Sequence, residues 1–189
     1  MSELIEGVIL AGGTSSRMGT NKSLVTFKNK TMINHVYSRL RPQVKKIWVN
    51  TNTLLEEFSI EDQFKDQFPN YDGPLVGIYT GLKLARTEWV QFCPTDSPFL
   101  PLDLVQKLFS KSVTSSGTVI VPLVKGRIEP VFSLCHKSTL EGLEAFILSG
   151  KKKITDWIEQ NNFETVIFEN PDEFQNINDR KDLKKINDL

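Results

Sequence analysis

Short apolar runs alternate along the chain with longer segments in which apolar positions recur every three or four residues. The short runs have the length of buried strands, and the longer spacing is typical of helices that pack on one face. The predicted strands are 4–10, 46–51, 88–93, 118–121, 131–134 and 164–168. The predicted helices are 32–40, 75–85, 102–109, 138–148, 154–160 and one that begins at 179. This alternation favours the α/β class, as a three-layer αβα fold with a mainly parallel sheet.

Turn signals refine this pattern in two places. Gly73 and Pro74 form a turn that opens the helix 75–85. The apolar face of that helix is predicted at Val76, Tyr79, Leu82 and Leu84. The strands 118–121 and 131–134 flank another turn and can pair antiparallel, whereas the pattern assigns no element to 54–68. No repeat, low-complexity run or linker interrupts the chain, so a single domain over 1–189 is expected.

Charge and cysteine content narrow the function classes. Lys and Arg together number 23, as do Asp and Glu, so bulk charge does not favour nucleic acid or an anionic membrane as a partner. No apolar stretch reaches the roughly 18 residues of a membrane span, and no signal peptide is visible. Cys93 and Cys135 lie in apolar surroundings without metal-ligand spacing, which predicts two free, buried thiols and a reducing compartment. A cytoplasmic protein is expected.

The loop after the first predicted strand, 10–22, has the composition of a polyphosphate site. Gly12 and Gly13 let backbone N–H groups approach an anion, and Arg17 and Lys22 add positive charge without any acid between them. In an open α/β sheet, ligands bind beyond the carboxyl ends of the strands, which is where this loop lies. The spacing matches neither the P-loop nor the dinucleotide fingerprint. The alternative is a flexible surface loop with incidental charges.

The aspartate that follows the strand 88–93 suggests a metal site. Asp96 offers a hard carboxylate that can hold Mg²⁺, with phosphate oxygens and water as the other ligands. The alternative role is a helix cap, for which Ser97 and Asp103 are better placed.

Several motifs, taken in order, resemble one family over the whole chain. The stretch 10–22 resembles the Leu-Ala-Gly-Gly-x-Ser-x-Arg-Met-Gly-x-x-Lys signature of the nucleotidyltransferase superfamily. The segments 72–78 and 92–99 resemble the Gly-Pro-Leu and Cys-Pro-x-Asp motifs of the molybdenum cofactor guanylyltransferases, and 129–134 and 176–183 match further family stretches. The resemblance implies a Rossmann-like nucleotidyltransferase fold.

The resemblance also assigns roles to individual residues. It implies nucleotide binding by Leu10, Ala11, Gly12, Gly13, Lys22, Asn50, Asp66 and Asp96. It implies that Arg17, Lys22 and Asp96 are catalytic, that Asp96 contacts Mg²⁺, and that Asn176 and Asn178 lie on the molybdopterin side.

Two of these assignments have plain alternatives. Asn50 ends a predicted strand, where an asparagine often serves only as a turn residue. Asp66 can accept hydrogen bonds from the N1–H and 2-amino edge of guanine, but it shares an acidic stretch with Glu61 and Asp62 and could be a solvated charge.

The implied reaction is transfer of GMP from GTP to molybdenum–molybdopterin, which gives the guanine dinucleotide cofactor and pyrophosphate. Cofactor-delivery proteins or acceptor molybdoenzymes are the protein partners it implies. The alternatives are a related nucleotidyltransferase that uses CTP or a sugar-phosphate acceptor, and a non-catalytic module that binds nucleotide or cofactor. The basic run 151–153 is expected to be a solvated helix start, with a role in docking the anionic pterin left open.

Overall fold

A computed structural model describes residues 2–12, 24–68, 73–177 and 182. The strands in this part of the chain are β1 Ile5–Leu10, β2 Thr26–Phe27, β3 Lys30–Thr31, β4 Ile47–Asn50, β5 Gln63–Phe64, β6 Trp89–Pro94, β7 Val119–Val124, β8 Arg127–Ile128, β9 Leu134–His136 and β10 Phe163–Phe168. The α-helices are α1 Met32–Leu40, α2 Pro74–Leu84, α3 Leu104–Thr114, α4 Leu140–Leu148 and α5 Ile154–Glu159. No helix in the described ranges is long and apolar enough to cross a membrane.

The central sheet has the order β10-β7-β9-β6-β1-β4-β5, with β8 paired to β7. β1 runs parallel to β4 and β6, β4 to β5, and β7 to β10, whereas β9 is antiparallel to both β6 and β7. The mainly parallel sheet predicted from the sequence is therefore confirmed. The carboxyl ends of β1, β4, β5 and β6 meet at one edge, which we call the carboxyl edge.

Helices cover both faces of the sheet and bury two separate apolar clusters. α1 and α3 pack on one face, where Ile33, Val36 and Leu104 are fully buried against alternate strand residues such as Ile9. α2, α4 and α5 pack on the other face, against the intervening strand residues such as Val8. Alternate residues of β1 point to opposite faces of the sheet, so β1 contributes side chains to both clusters. The prediction of a three-layer αβα fold is confirmed.

Several element boundaries differ from the prediction. The segment 131–134 is not a strand: a 3₁₀-helix spans Pro130–Phe132, and β9 begins at Leu134. Pro130 has no N–H for a ladder hydrogen bond, which disfavours an earlier start of the strand. α3 begins after Asp103 rather than at 102, since Leu102 is 63% exposed and lies outside the core. Of the helix predicted from 179, only Asp182 is among the described residues, and it is helical.

The unassigned segment 54–68 is held largely by one side chain. The Gln63 amide accepts from the N–H of Leu55 and donates to the carbonyls of Leu55 and Phe58, at 2.9, 2.9 and 3.0 Å. These bonds close a loop that ends in a 3₁₀-helix at Ile60–Asp62 and the short strand β5. Side-chain bonding of this kind leaves no hydrophobic period to detect in the sequence.

Candidate active site

The chain leaves β1 at the carboxyl edge between β4 and β6. Leu10 is in register with Asn50 on one side and with Pro94 on the other, so the ends of the three strands are level. The N–H of Ala11 then donates to the carbonyl of Asn50 at 2.8 Å, which carries the pairing one residue past the strand. The predicted nucleotide-binding residues Leu10, Ala11 and Gly12 therefore begin the loop at the middle of the sheet, where two neighbouring strands end.

An amide–carboxylate cluster joins β4, the segment after β5 and the start of this loop. Nδ2 of Asn50 donates to Oδ1 of Asp66 at 2.9 Å, and Nδ2 of Asn52 donates to Oδ2 of Asp66 at 2.9 Å. Nδ2 of Asn52 also donates to the carbonyl of Gly12 at 3.1 Å. Each oxygen of the Asp66 carboxylate thus accepts one amide hydrogen bond. We call Gly12, Asn50, Asn52 and Asp66 the base-side cluster, after the predicted role of Asp66 toward a nucleotide base.

The acidic stretch around Asp66 divides into two kinds of carboxylate. Asp62 forms an ion pair with Lys46 at 2.8 Å on the surface. Asp66 is also partly exposed, but its carboxylate accepts hydrogen bonds from the amides of Asn50 and Asn52 at the carboxyl edge. The structure therefore does not place Asp66 as a solvated charge like Asp62, although its role toward a nucleotide stays a prediction.

Glycine allows the base-side cluster to close. A Cβ on Gly12 would lie 3.0 Å from Oδ1 of Asn50 and 3.1 Å from Oδ2 of Asp66, which is tighter than ordinary contact. A Cβ on Gly77, in the first turns of α2, would overlap Oδ1 of Asn50 outright. Gly73 is the N-cap of α2, and its φ of +118° suits glycine. Pro74 takes the first helical position. The helix can then approach the end of β4 closely.

Asp96 lies beyond β6, on the opposite side of the loop after β1. Its main-chain carbonyl accepts from the N–H of Ile177 at 2.7 Å, and the hydroxyl of the fully buried Ser97 donates to Oδ1 of Asn176. These bonds fasten the segment around Asn176 to the loop that carries Asp96. Asn176, predicted to lie on the molybdopterin side, is therefore beside Asp96 and across the loop after β1 from the base-side cluster. Asp103, not Asp96, stands at the N-cap of α3.

Seven of the predicted site residues are thus brought to one edge of the sheet: Leu10, Ala11, Gly12, Asn50, Asp66, Asp96 and Asn176. Gly13, Arg17, Lys22 and Asn178 lie outside the described residues. Sequence reasoning did not name Asn52, and it included Gly77 only as part of the motif 72–78. The position of Asn52, two residues after Asn50 and directly past the strand, is the signal that could have found it, because alternate residues in extended chain share a side.

A divalent cation bound at this edge by the described residues would need further ligands from a substrate. Asp96 offers a hard carboxylate oxygen of the kind Mg²⁺ prefers. Among the described residues no group of three or more His, Cys, Asp or Glu side chains could hold a metal ion. One protein carboxylate with phosphate oxygens and water is a normal ligand set for Mg²⁺ bound with a nucleotide, so Asp96 fits the ion.

The two thiols are free and fully buried, as predicted. Burial raises the pKa of Cys93, in β6, well above its usual range, and it raises the pKa of Cys135 to about 12. Both thiols are therefore protonated at neutral pH, and neither can serve as a nucleophile.

A parallel sheet whose loops and polar strand ends gather at the carboxyl edge is the architecture of nucleotide-binding α/β proteins. The model of the MobA-like NTP transferase domain matches residues 7–166. The chain belongs to this family.

Similar proteins agree over nearly the full length. The chain is 38% identical to a molybdenum cofactor guanylyltransferase of Vibrio parahaemolyticus, with 96% of this chain and 94% of that one covered. It is 39% identical to another of Photobacterium profundum, with 97% and 96% covered.

Among solved structures, molybdopterin-guanine dinucleotide biosynthesis protein A from Archaeoglobus fulgidus has a TM-score of 0.78 at 22% identity, with 95% of both chains covered. A CMP:2-keto-3-deoxy-manno-octonic acid synthetase complexed with CTP also reaches 0.78, at 14% identity and with 98% and 97% covered. At these identities the solved structures establish the fold, which is that of the nucleotidyltransferases.

Proposed function

We propose that this protein transfers GMP from GTP to molybdenum–molybdopterin and releases pyrophosphate. The observation that carries the proposal is the base-side cluster, which presents the two Asp66 oxygens at the carboxyl edge beside the loop after β1. Guanine offers two adjacent donors, N1–H and the 2-amino group, and a carboxylate can accept from both. Family membership and the named relatives support the same nucleotide and acceptor.

We propose that the substrates lie in a fixed order along the carboxyl edge. The base lies over β4 and β5 at Asp66, and the triphosphate follows the loop after β1. The α-phosphorus then lies toward Asp96 at the end of β6, with the pterin on the side of Asn176 and Asn178. The level ends of β4, β1 and β6 and the bonds that hold Asn176 beside Asp96 support this order.

In the reaction, a terminal phosphate oxygen of molybdopterin attacks the α-phosphorus of GTP in line. A new P–O bond forms, the bond to the bridging oxygen of the β-phosphate breaks, and pyrophosphate leaves. Because the attacking phosphate is already ionised, no side-chain base is needed. Catalysis therefore consists of positioning and charge neutralisation.

We assign the parts of that work to particular residues. Backbone N–H groups at Gly12 and Gly13 bind phosphate oxygens, and Arg17 and Lys22 stabilise the charge that grows on the leaving pyrophosphate. Asp96 would hold Mg²⁺, which supplies Lewis-acid polarisation of the phosphates when bound. The buried free thiols suit a reducing compartment, so we place the protein in the cytoplasm.

The direct test is pyrophosphate release from GTP, CTP and ATP in the presence of molybdenum–molybdopterin and Mg²⁺. Release with GTP well above that with CTP or ATP, and dependent on the acceptor, is the expected result. A preference for CTP would contradict the guanylyl assignment. Nucleotide binding without pyrophosphate release would contradict transfer itself.

A further inference from the structure

Asn52 lies outside the predicted site, yet it makes more contacts in the base-side cluster than Asn50. We infer that Asn52 is a positioning residue for guanine recognition, which holds the Asp66 carboxylate in place and ties it to the loop after β1. The inference rests on the proposed function, because it concerns how the protein recognises the guanine base of GTP.

The Asn52 amide uses both of its ends. Nδ2 donates one hydrogen to Oδ2 of Asp66 at 2.9 Å and the other to the carbonyl of Gly12 at 3.1 Å. Oδ1 accepts from the main-chain N–H of Asp66 at 3.3 Å. Asn52 therefore holds Asp66 by side chain and main chain together, and it fixes both relative to Gly12.

This arrangement determines which acceptor sites Asp66 offers to a base. An ionised carboxylate has about four lone-pair sites, two on each oxygen. Asn50 takes one on Oδ1 and Asn52 takes one on Oδ2, so one site on each oxygen remains for the N1–H and 2-amino donors of guanine. A carboxylate fixed in this way loses little rotamer freedom when the base binds, which improves affinity.

The bond to Gly12 adds a second consequence. Gly12 begins the loop predicted to bind phosphate, whereas Asp66 is predicted to bind the base. Asn52 is the described side chain that bonds to both. It thereby sets the distance between the base site and the phosphate loop, which a nucleotide must match.

Exposure makes the inference testable without loss of the fold. Asn52 is exposed, so truncation leaves no core cavity. Asn162 is a matched control, because its Nδ2 also makes two bonds, to the carbonyl and hydroxyl of Ser116 at 2.8 and 3.1 Å. Asn162 directly precedes β10, which is the terminal strand of the sheet at the other end of the strand order from β5.

The experiment measures the Kd of GTP and of inosine triphosphate, which lacks only the 2-amino group, by calorimetry with Mg²⁺. Asn52→Ala is expected to weaken GTP about tenfold, the effect of one lost charge-assisted hydrogen bond. It should weaken inosine triphosphate less, so that the preference for GTP shrinks. Asn52→Asp, which faces Asp66 with a second carboxylate, should weaken GTP further. Asn162→Ala should match the wild type for both nucleotides.

Two results would overturn the inference. One is an Asn52→Ala protein that binds GTP as tightly as the wild type does. The other is equal weakening of GTP and inosine triphosphate, which would mean that Asn52 affects phosphate binding and not recognition of the base. In both cases the wild type would still prefer GTP, so the proposed function itself would not be contradicted. ATP is titrated into the wild type alongside. A wild type that binds GTP no more tightly than ATP would contradict both the proposed function and this inference.

Discussion

The side-chain amide of Asn50 donates to the Asp66 carboxylate across 2.9 Å and so joins the end of β4 to the segment after β5. The two residues are 16 positions apart, and neither lies in a motif with recognisable spacing to the other. Their bond brings together the surface that we propose contacts the guanine base.

Gly12→Ala is expected to weaken nucleotide binding while the protein stays folded. The added methyl would press on Oδ1 of Asn50 and Oδ2 of Asp66, at 3.0 and 3.1 Å, and displace the carboxylate that we propose contacts the base. Calorimetric titration with GTP measures the effect.

Gly142→Ala in α4 is the matched control, because a Cβ there meets nothing within 4 Å. It should leave GTP affinity unchanged and raise the free energy of unfolding by about 0.5–1 kcal/mol, since alanine is the better helix former. Equal GTP affinity in both variants would show that Gly12 has no special role.

Asp96→Asn is expected to lower turnover by about 10²–10³-fold, comparable to the loss of a principal electrostatic stabiliser. The amide keeps the shape of the side chain but removes the carboxylate that we propose holds Mg²⁺. Pyrophosphate release across a Mg²⁺ titration, with thermal melting of both proteins, gives the measurement.

Asp103→Asn is the control for that variant, since Asp103 pairs with Lys107 on an exposed helix start and should affect turnover little. Unchanged Mg²⁺ dependence in Asp96→Asn would refute the metal role. A large fall in melting temperature without Mg²⁺ would show that Asp96 is structural.

Arg17→Lys and Lys22→Ala test the cationic part of the loop 10–22. Lys22→Ala should lower both GTP affinity and turnover, because its charge is needed in the ground state and in the transition state. Arg17→Lys keeps the charge but loses the planar fork that fits two phosphate oxygens, so it should also be impaired. Near-normal turnover in both variants, with unchanged circular dichroism, would show that this loop only connects two elements and does not bind phosphate.

Glu129 gives a pH-dependent prediction at the end of the hairpin formed by β7 and β8. Partial burial removes water from the Glu129 carboxyl and raises its pKa above the ordinary value. Folding therefore favours the protonated form, and the stabilisation is full below the ordinary pKa of about 4.3 and is lost as the pH rises through the folded-state pKa. At neutral pH the ionised Glu129 is a net cost.

Glu129→Gln should accordingly raise the free energy of unfolding at pH 7 relative to the wild type, and the gain should vanish near pH 4. Urea unfolding at the two pH values provides the comparison. A gain of the same size at both values would show that ionisation of Glu129 is not its cause.

The sequence was most informative where a hydrophobic period or a local motif exists. Strand alternation gave the layers and the parallel sheet, and the loop 10–22 with Asp96 indicated the carboxyl edge. The face of α2 was predicted with one error, since Leu84 is 38% exposed. It lies two residues past Leu82, about 200° around the helix, and so off the buried face.

The base-side cluster was harder to predict, for a physical reason. Its bonds join residues distant in sequence, and the segment that carries Asp66 is shaped by the side chain of Gln63 rather than by an apolar period. The spacing of Asn52 from Asn50 is its one local signal, and its contacts with Asp66 and Gly12 exist only once β4 and β5 pair. Long-range polar contacts of this kind leave no periodic signal in the chain.

The measurement that tests the central claim most directly is nucleotide selectivity in the wild type and in Asp66→Asn, read as the Kd of GTP and ATP with Mg²⁺. The wild type should prefer GTP. Asp66→Asn should lose most of that preference by weakening GTP alone, by about 10–100-fold for lost hydrogen bonds to a charged acceptor. Asp62→Asn, which changes a surface carboxylate paired with Lys46, should leave both affinities unchanged. An Asp66→Asn protein that still binds GTP as the wild type does would contradict the assignment of this cluster to the guanine base.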